Sequence, residues 1–365
     1  MKVMTVLGTR PEIIRLSRVV GLLDRACSHT LVHTGQNFDP GLSDVFFREL
    51  GVRPPDRHLG IATGEFAPQV GQLFERIGAV LSELAPDRLL VLGDTNSGLS
   101  ALVAARMGVP VYHMEAGNRG YDDRVPEELN RRVIDHASTI LMPYTHRSKE
   151  NLLREGIERE RIFVTGNPIY EVLQAHREAI DRSDALPRLG VAPRGYFLLT
   201  MHRAENVDDP ERLRRLVDSV TRVAQRHGLP VLFSVHPRTA DRLRQGGLQL
   251  EGGPLRALPP LGFFDFVKLE REARAVLSDS GTVQEECSIF RVPNVTIRDV
   301  TERPETIECG SNILSGADAE DVERAVDIVL SEPPRWSPPP EYLVESVAST
   351  VVRIVLGRLS VRRHG

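Results

Sequence analysis

The sequence predicts an α/β protein built from two parallel-sheet domains, and three observations point there. Short apolar runs bounded by glycine and proline alternate with segments of helical spacing, the pattern of parallel strands and their crossover helices. At 365 residues the chain exceeds one typical core. A stretch rich in proline, glycine and charge, Asp181 to Gly195, reads as a linker, and a second series of the same kind follows it.

The elements follow in order. Val3 to Leu7 reads as a buried strand ending at Gly8-Thr9-Arg10-Pro11-Glu12. Pro11 suits the first turn of a helix, and Ile13, Ile14, Leu16, Val19, Val20 and Leu23 continue with helical spacing. A second strand near Thr30 to Thr34 ends at Gly35-Gln36-Asn37. Leu89 to Leu92 leads through Gly93 into Asp94, and Val109 to Met114 leads into Glu115. Ile140 to Met142 and Ile162 to Thr165 extend the series, the latter ending at Gly166-Asn167-Pro168. Beyond the linker, strands are expected at Tyr196 to Thr200, Val231 to Val235, Ala275 to Ser278 and Asn294 to Ile297. Pro333 to Pro340 is a proline-dense break, after which Val344 to Leu359 reads as a last helix. Two Rossmann-like domains of this kind, facing each other, would leave an active site between them.

Composition narrows the function classes. The chain is 41% hydrophobic and 26% charged, ordinary for a soluble globular protein. A net charge of −4 implies no large electrostatic pull toward nucleic acid. The three cysteines, Cys27, Cys287 and Cys309, are too few and too scattered for a disulfide framework or a zinc site, and fit a reducing compartment. No apolar run reaches membrane-spanning length and no signal-peptide pattern opens the chain, so a cytoplasmic protein with no membrane partner is expected. The first strand-to-helix turn lacks the G-x-G-x-x-G spacing, and no Walker lysine motif occurs. Nicotinamide and ATP chemistry are therefore disfavoured, and no cofactor or catalytic metal is expected.

The candidate site residues lie at strand ends, where open α/β sheets bind ligands. Asp94 and Glu115 follow two such strands, and Glu127 in Pro126-Glu127-Glu128 stands on the next loop or helix start. Three acids in one cleft point to proton transfer. In the second series, Asp279-Ser280-Gly281-Thr282 forms a tight turn opening a helix, whose free N–H groups suit a diphosphate. Glu285 and Glu286 follow about one and a half turns later, where a carboxylate can accept both hydroxyls of a ribose. Equally, Ser280 can simply cap the helix while the glutamates favour its dipole. Arg10 can meet phosphates or form a surface salt bridge. His202 follows its strand and can stabilise a departing diphosphate or serve as a hydrogen-bonded structural histidine. His236 earns a weaker version of the same case, and His113 reads as a satisfied internal group. Phe266 is either packing or an aromatic near a base pocket.

Taken together, several stretches resemble the non-hydrolysing UDP-N-acetylglucosamine 2-epimerase family. They are Gly8-Thr9-Arg10-Pro11-Glu12, Gly93-Asp94-Thr95, Glu115-Ala116-Gly117, Pro126-Glu127-Glu128 with Asn130-Arg131, Thr165-Gly166-Asn167, His202-Arg203, Ser278-Asp279-Ser280-Gly281 with Gln284-Glu285-Glu286, and Thr301-Glu302-Arg303-Pro304-Glu305. They run in order over nearly the whole chain. The resemblance implies a GT-B architecture, two Rossmann-like domains facing across a central cleft. The first would span residues 1–170 with a returning helix in 344–365, and the second, UDP-binding domain residues 171–343. It implies acid/base roles for Asp94, Glu115 and Glu127, diphosphate contacts from His202 and Arg10, a phosphate-binding turn at Ser280, Gly281 and Thr282, and a ribose contact from Glu286. Phe266 falls at the uracil, and Arg131, Arg15 and His236 join the binding set. A homodimer acting on a UDP-sugar, with UDP as a bound intermediate, is expected from the family alone.

The implied chemistry suits these residues. The C2 proton of a 2-acetamido sugar is poorly acidic until the C1–O bond to UDP breaks; carboxylates can then remove it, giving a glycal and UDP. Re-addition from the other face inverts C2. A GT-B glycosyltransferase, a hydrolysing 2-epimerase that releases free sugar, and a catalytically silent sugar-nucleotide sensor are the competing expectations. The Glu115 to Glu127 spacing, Thr34-Gly35-Gln36-Asn37-Phe38-Asp39 and Leu261-Gly262-Phe263 resemble the branch that makes UDP-N-acetyl-L-fucosamine. Arg15 stands where a lysine is usual. Asn37 replaces a histidine of an activating UDP-N-acetylglucosamine site, so that activation is expected to be absent.

Overall fold

In the computed structural model, described for residues 1–35, 40–61, 64–248, 250 and 253–358, the chain divides into two units. The first joins Met1–Ala175 to Pro340–Gly365, and the second is His176–Pro339. Gln36 to Asp39 and Leu359, which carry sequence expectations, lie outside the described residues.

The first unit holds β1 (Lys2–Leu7), β2 (Ser28–His33), β3 (Arg57–His58), β4 (Arg88–Leu92), β5 (Val111–Met114) and β6 (Ile140–Met142). They form one sheet in the order β3-β2-β1-β4-β5-β6, every pairing parallel. Leucine, valine, isoleucine and methionine make β1, β4 and β6 near-continuous buried apolar runs, as helices covering both faces require. Ile13, Leu16 and Val20 of the Arg10–Ala26 helix are buried, as are Leu73, Ile77 and Leu81 of the Phe66–Leu84 helix. Pro11 occupies the first turn as expected. The last helix, Val347–Leu356, packs on the Arg10–Ala26 helix. Arg88 holds its end by donating to the Gly357 carbonyl at 2.8 Å and to the Val355 carbonyl.

The second unit repeats the plan with β7 (Phe197–Met201), β8 (Val231–Val235), β9 (Leu255–Leu258), β10 (Val276–Ser278), β11 (Asn294–Thr296) and β12 (Asn312–Leu314). Its order is β12-β11-β10-β7-β8-β9, again all parallel. Counted from its own first strand, each sheet runs 3-2-1-4-5-6, the doubly wound order. The winding reverses between β1 and β4 in one unit and between β7 and β10 in the other, so loops leave those strand ends in opposite directions and open a crevice.

Three expectations need correction. Ile162 to Thr165 is not a strand: Ile162 makes an isolated bridge to Leu141, and the chain then turns at Gly166 (φ +85°). The supposed linker is part of the second unit, since Ala185 and Leu186 of its Ala185–Leu189 helix are buried in a cluster with Tyr196 and Leu198. The last helix starts at Val347, later than Val344, after a 3₁₀ turn at Pro340–Leu343.

Gly117 fixes the turn that follows β5. Its φ is +80°, and a Cβ there would lie 2.3 Å from the Ser148 carbonyl oxygen. Gly117→Ala is therefore expected to cost about 2 kcal/mol or more of unfolding free energy. Urea titration checks this, and an unchanged midpoint contradicts the packing.

Candidate active site

The strand ends of the first unit carry two carboxylate–arginine pairs. Asp94 follows β4 and Gly93 (φ +73°), and accepts from Arg131 Nε at 2.8 Å and Nη2 at 2.6 Å. Arg131 is buried and also donates to Glu128 at 2.6 Å. Glu115 follows β5 with φ +66°, a left-handed backbone that a glutamate adopts only under constraint. Its side chain is buried, paired with Arg15 and accepting from Asn118 Nδ2 at 3.2 Å. Arg15 also lies over the Tyr144 ring at 5.6 Å. Because β4 and β5 are neighbours, Glu115 Oε2 falls 3.9 Å from where a Cβ on Gly93 would stand. Glu127 lies in the first turn of the Pro126–Ala137 helix, half-buried, beside the fully buried Glu128. Glu128 accepts from the N–H groups of Gly120 and Tyr121 at 3.0 and 3.1 Å, which folds the loop before that helix.

Two buried acids set these turns. Glu12 takes the N–H groups of Gly8 and Thr9 at 3.0 and 2.7 Å, and the Thr95 hydroxyl at 3.1 Å, tying the β1 loop to the β4 loop. Burial pushes its pKa up to about 7, although the hydrogen bonds from Thr9, Gly8 and Thr95 pull the other way. Asp135 meets His113 Nδ1 at 2.9 Å and the Gly117 N–H at 3.1 Å, while His113 Nε2 lies 2.9 Å from the Gly93 carbonyl. His113 is thus the internal group that the sequence indicated; it braces the backbone before Asp94, and its partner Asp135 braces the backbone after Glu115.

In the second unit the site residues gather where the winding reverses. The Gly281–Phe290 helix starts just after β10, and Ser280 makes no side-chain cap; its hydroxyl pairs instead with that of Thr282 at 2.9 Å. The capping alternative for Ser280 therefore fails. A Cβ on Gly281 would sit 2.5 Å from Glu302 Oε1, so any side chain there would have to displace the Glu302 carboxylate. Glu302 is buried and held by Arg298 at 2.8 Å and Arg203 at 3.4 Å. Glu285 pairs with Arg303, and Glu286 beside it is also buried. Glu286 contacts Glu270, whose pKa is raised by burial and by the neighbouring charge. His202 follows β7, and its Nδ1 lies 3.2 Å from Asp279 Oδ1. Its ring stands 6.1 Å from that of His236, which caps the Pro237–Gln245 helix through a 3.3 Å bond from the Arg238 N–H. Phe266, on the Phe263–Glu272 helix, packs half-buried on the cluster around Leu198 and Val276.

Comparison with known proteins decides the family. Residues 23–356 match the protein-family profile described as UDP-N-acetylglucosamine 2-epimerase. The UDP-N-acetylglucosamine 2-epimerase of Methanocaldococcus jannaschii is 40% identical over 93% of this chain and 95% of its own length. The chain belongs to the UDP-N-acetylglucosamine 2-epimerase family. The crystal structure of that M. jannaschii protein in complex with UDP-GlcNAc and UDP superposes with a TM-score of 0.93 at 39% identity, covering 97% of this chain and 99% of that one. Another relative is the UDP-2,3-diacetamido-2,3-dideoxy-D-glucuronate 2-epimerase of Pseudomonas aeruginosa, 38% identical over 87% of this chain and 89% of its own length.

Within this family frame, the geometry joins some of the expected residues and adds others. Asp94 meets Arg131, and Glu115 meets Arg15. Arg10, the first residue of its helix, lies half-buried over the Phe46 ring at 5.8 Å. Sequence reasoning missed Glu12, Asp135, Asp279, Arg298 and Glu302 as organisers of the site. Asp279 and Glu302 stood inside quoted motifs, and a buried acid beside a strand end was the available signal. Among the described residues, no cluster of three or more histidines, cysteines or acids is placed to hold a metal ion, and no helix is long and apolar enough to cross a membrane.

The raised Glu12 pKa carries a sign. Between the ordinary value of 4.5 and about 7 the folded protein holds this proton more tightly than the unfolded chain, so the stability gained is present at low pH and lost as pH rises through 7. Glu12→Gln keeps an acceptor and cannot titrate. Relative to that variant, the native protein is expected to lose stability from pH 4.5 to 7, measured by denaturant unfolding; a difference that stays flat contradicts the burial argument.

Proposed function

We propose that this protein is a non-hydrolysing C2 epimerase of a UDP-2-acetamido-2-deoxy sugar, working by elimination and re-addition of UDP. The observation that carries this is the pair of arginine-bound carboxylates, Asp94 and Glu115, at neighbouring strand ends with Glu127 on the next helix. A glycosyltransferase gives no reason for that concentration of acids.

In the forward step, the C2–H electrons become the C1=C2 bond, the C2 proton passes to one carboxylate, and the C1–O pair leaves with UDP. A second carboxylate returns a proton to the opposite face as UDP rejoins C1. Asp94, Glu115 and Glu127 supply this acid and base pair. Arg10 and His202, with the N–H groups at Ser280, Gly281 and Thr282, receive the charge on the departing diphosphate. Glu286 binds the ribose, and Phe266 lies at the uracil. Arg15 and Arg131 keep the catalytic carboxylates aimed, and His236 supports the diphosphate side.

For the sugar we favour UDP-N-acetylglucosamine and its manno epimer, because relatives named for that activity cover nearly the full chain at about two-fifths identity. The 6-deoxy-L pair, UDP-N-acetyl-L-fucosamine and its L-talo epimer, is the second reading. It rests on the Glu115 to Glu127 spacing and on Leu261-Gly262-Phe263; the third stretch resembling that branch includes Gln36 to Asp39, outside the described residues. We also take the enzyme to be a cytoplasmic homodimer. The family resemblance supports the dimer, which analytical ultracentrifugation tests, and the free Cys27, Cys287 and Cys309 fit a reducing compartment.

Asp94→Asn, Glu115→Gln and Glu127→Gln are each expected to slow epimer formation by at least ~100-fold, the scale of lost acid–base catalysis. Chromatographic separation of the epimers reads this out, and near-native turnover in all three removes the acid/base assignment. Faster conversion of UDP-N-acetyl-L-fucosamine than of UDP-N-acetylglucosamine would move the substrate to the second reading.

A further inference from the structure

The Asp279 carboxylate is wholly buried at the end of β10, immediately before the Ser280–Gly281 turn. It accepts from the backbone N–H of His202 at 2.9 Å, from that of Arg203 at 2.9 Å and from Asn206 Nδ2 at 3.1 Å. Asn206 is itself pinned, donating to the Ile297 carbonyl at 3.0 Å and accepting from Arg212 Nε at 2.9 Å. The remaining contact is His202 Nδ1, 3.2 Å away. Among the described residues, only this imidazole of the groups that meet Asp279 can carry a charge. Those contacts outweigh the cost of burial and keep the carboxyl well below the usual range.

The histidine differs from a structural one. Its side chain is 41% exposed, whereas that of His113, held between two internal acceptors, is 1% exposed. Because Nδ1 faces an ionised carboxylate, that nitrogen holds a proton. Nε2 is then the ring nitrogen left for a ligand. To donate to an anionic phosphate oxygen, Nε2 must be protonated as well, so the working form is the imidazolium with Asp279 as its counter-charge.

We propose that Asp279 is a positioning residue for departure of the diphosphate, acting through His202. It fixes the ring with Nε2 turned to the ligand and balances the charge of the protonated ring. When the C1–O bond breaks, the electron pair stays on the β-phosphate oxygen, and the Nε2–H donates to that oxygen. The same carboxylate stands next to the Ser280–Gly281 turn, so one buried group sets both the imidazole and the start of the phosphate-facing helix. This rests on the epimerase reading above.

The test is positional isotope exchange with UDP-N-acetylglucosamine carrying ¹⁸O in the C1–O–P bridge, since scrambling into non-bridging positions requires C1–O cleavage. Asp279→Asn is expected to slow scrambling by ~100-fold or more while the dissociation constant for UDP moves only a few-fold, about what loss of one acid–base partner produces. His202→Gln is expected to slow it comparably, and the double variant no further than His202→Gln alone. Multiplication of the two losses, or a fall in UDP binding that accounts for the whole effect, overturns the proposal. Nitrogen-15 spectra of the histidine-labelled native enzyme provide a second readout that needs no folded Asp279 variant. His202 is expected to show a protonated Nδ1, and a neutral ring protonated only at Nε2 overturns it. If the native enzyme scrambles no label with either sugar nucleotide, the epimerase reading fails, and the His202 spectrum still decides the pairing with Asp279.

Discussion

Buried carboxylates tie together the loops at which each sheet reverses its winding. At such a point two loops leave adjacent parallel strands with their backbone N–H groups unpaired, and no neighbouring strand can satisfy them. Glu12 does so in the first unit, binding the Gly8 and Thr9 N–H groups and the Thr95 hydroxyl. Asp279 does so in the second, binding the His202 and Arg203 N–H groups. Each acid joins the loop after the unit's first strand to the loop after its fourth. Loops tied this way can carry functional side chains at fixed angles, which catalysis requires more than it requires tight binding.

On that frame the functional charges come in opposed pairs. Asp94 with Arg131 and Glu115 with Arg15 keep acids at a crevice without leaving buried charge unbalanced. The strained backbone of Glu115 is held by its strand, by Arg15 and by Asn118, and its side chain leaves the sheet beside Gly93. Around the Ser280–Gly281 turn, Glu302 with Arg298 and Glu285 with Arg303 serve structure, and Gly281 gives Glu302 its room.

Much of this was legible in the sequence, for identifiable reasons. The interior strands of both sheets are apolar on both faces and end in glycine or a polar residue, so β1, β4, β5, β7, β8 and β10 could be read directly, and Asp94, Glu115, His202 and Ser280 fell at their ends. The edge strands β3, β9 and β12 were not read: they are only two to four residues long and partly exposed, too short for periodicity to register. Ile162 to Thr165 has strand composition and lies along β6, yet Gly166 turns it away before a ladder forms. Polarity made Asp181 to Gly195 resemble a linker, although two buried residues anchor it. Pairings such as Arg15 with Glu115, a hundred residues apart, leave no local trace. The motif details pointed to the L-fucosamine branch, whereas the relatives described carry the names of UDP-N-acetylglucosamine and diacetamido-glucuronate epimerases.

The central claim is that the protein makes and breaks a C2–H bond while UDP leaves and returns. Proton NMR of UDP-N-acetylglucosamine incubated with the enzyme in D2O tests it most directly. The account predicts loss of the C2 proton signal to deuterium, with the manno epimer appearing and UDP retained on the sugar. A C2 proton that persists while UDP or free sugar accumulates would contradict it and point to transfer or hydrolysis.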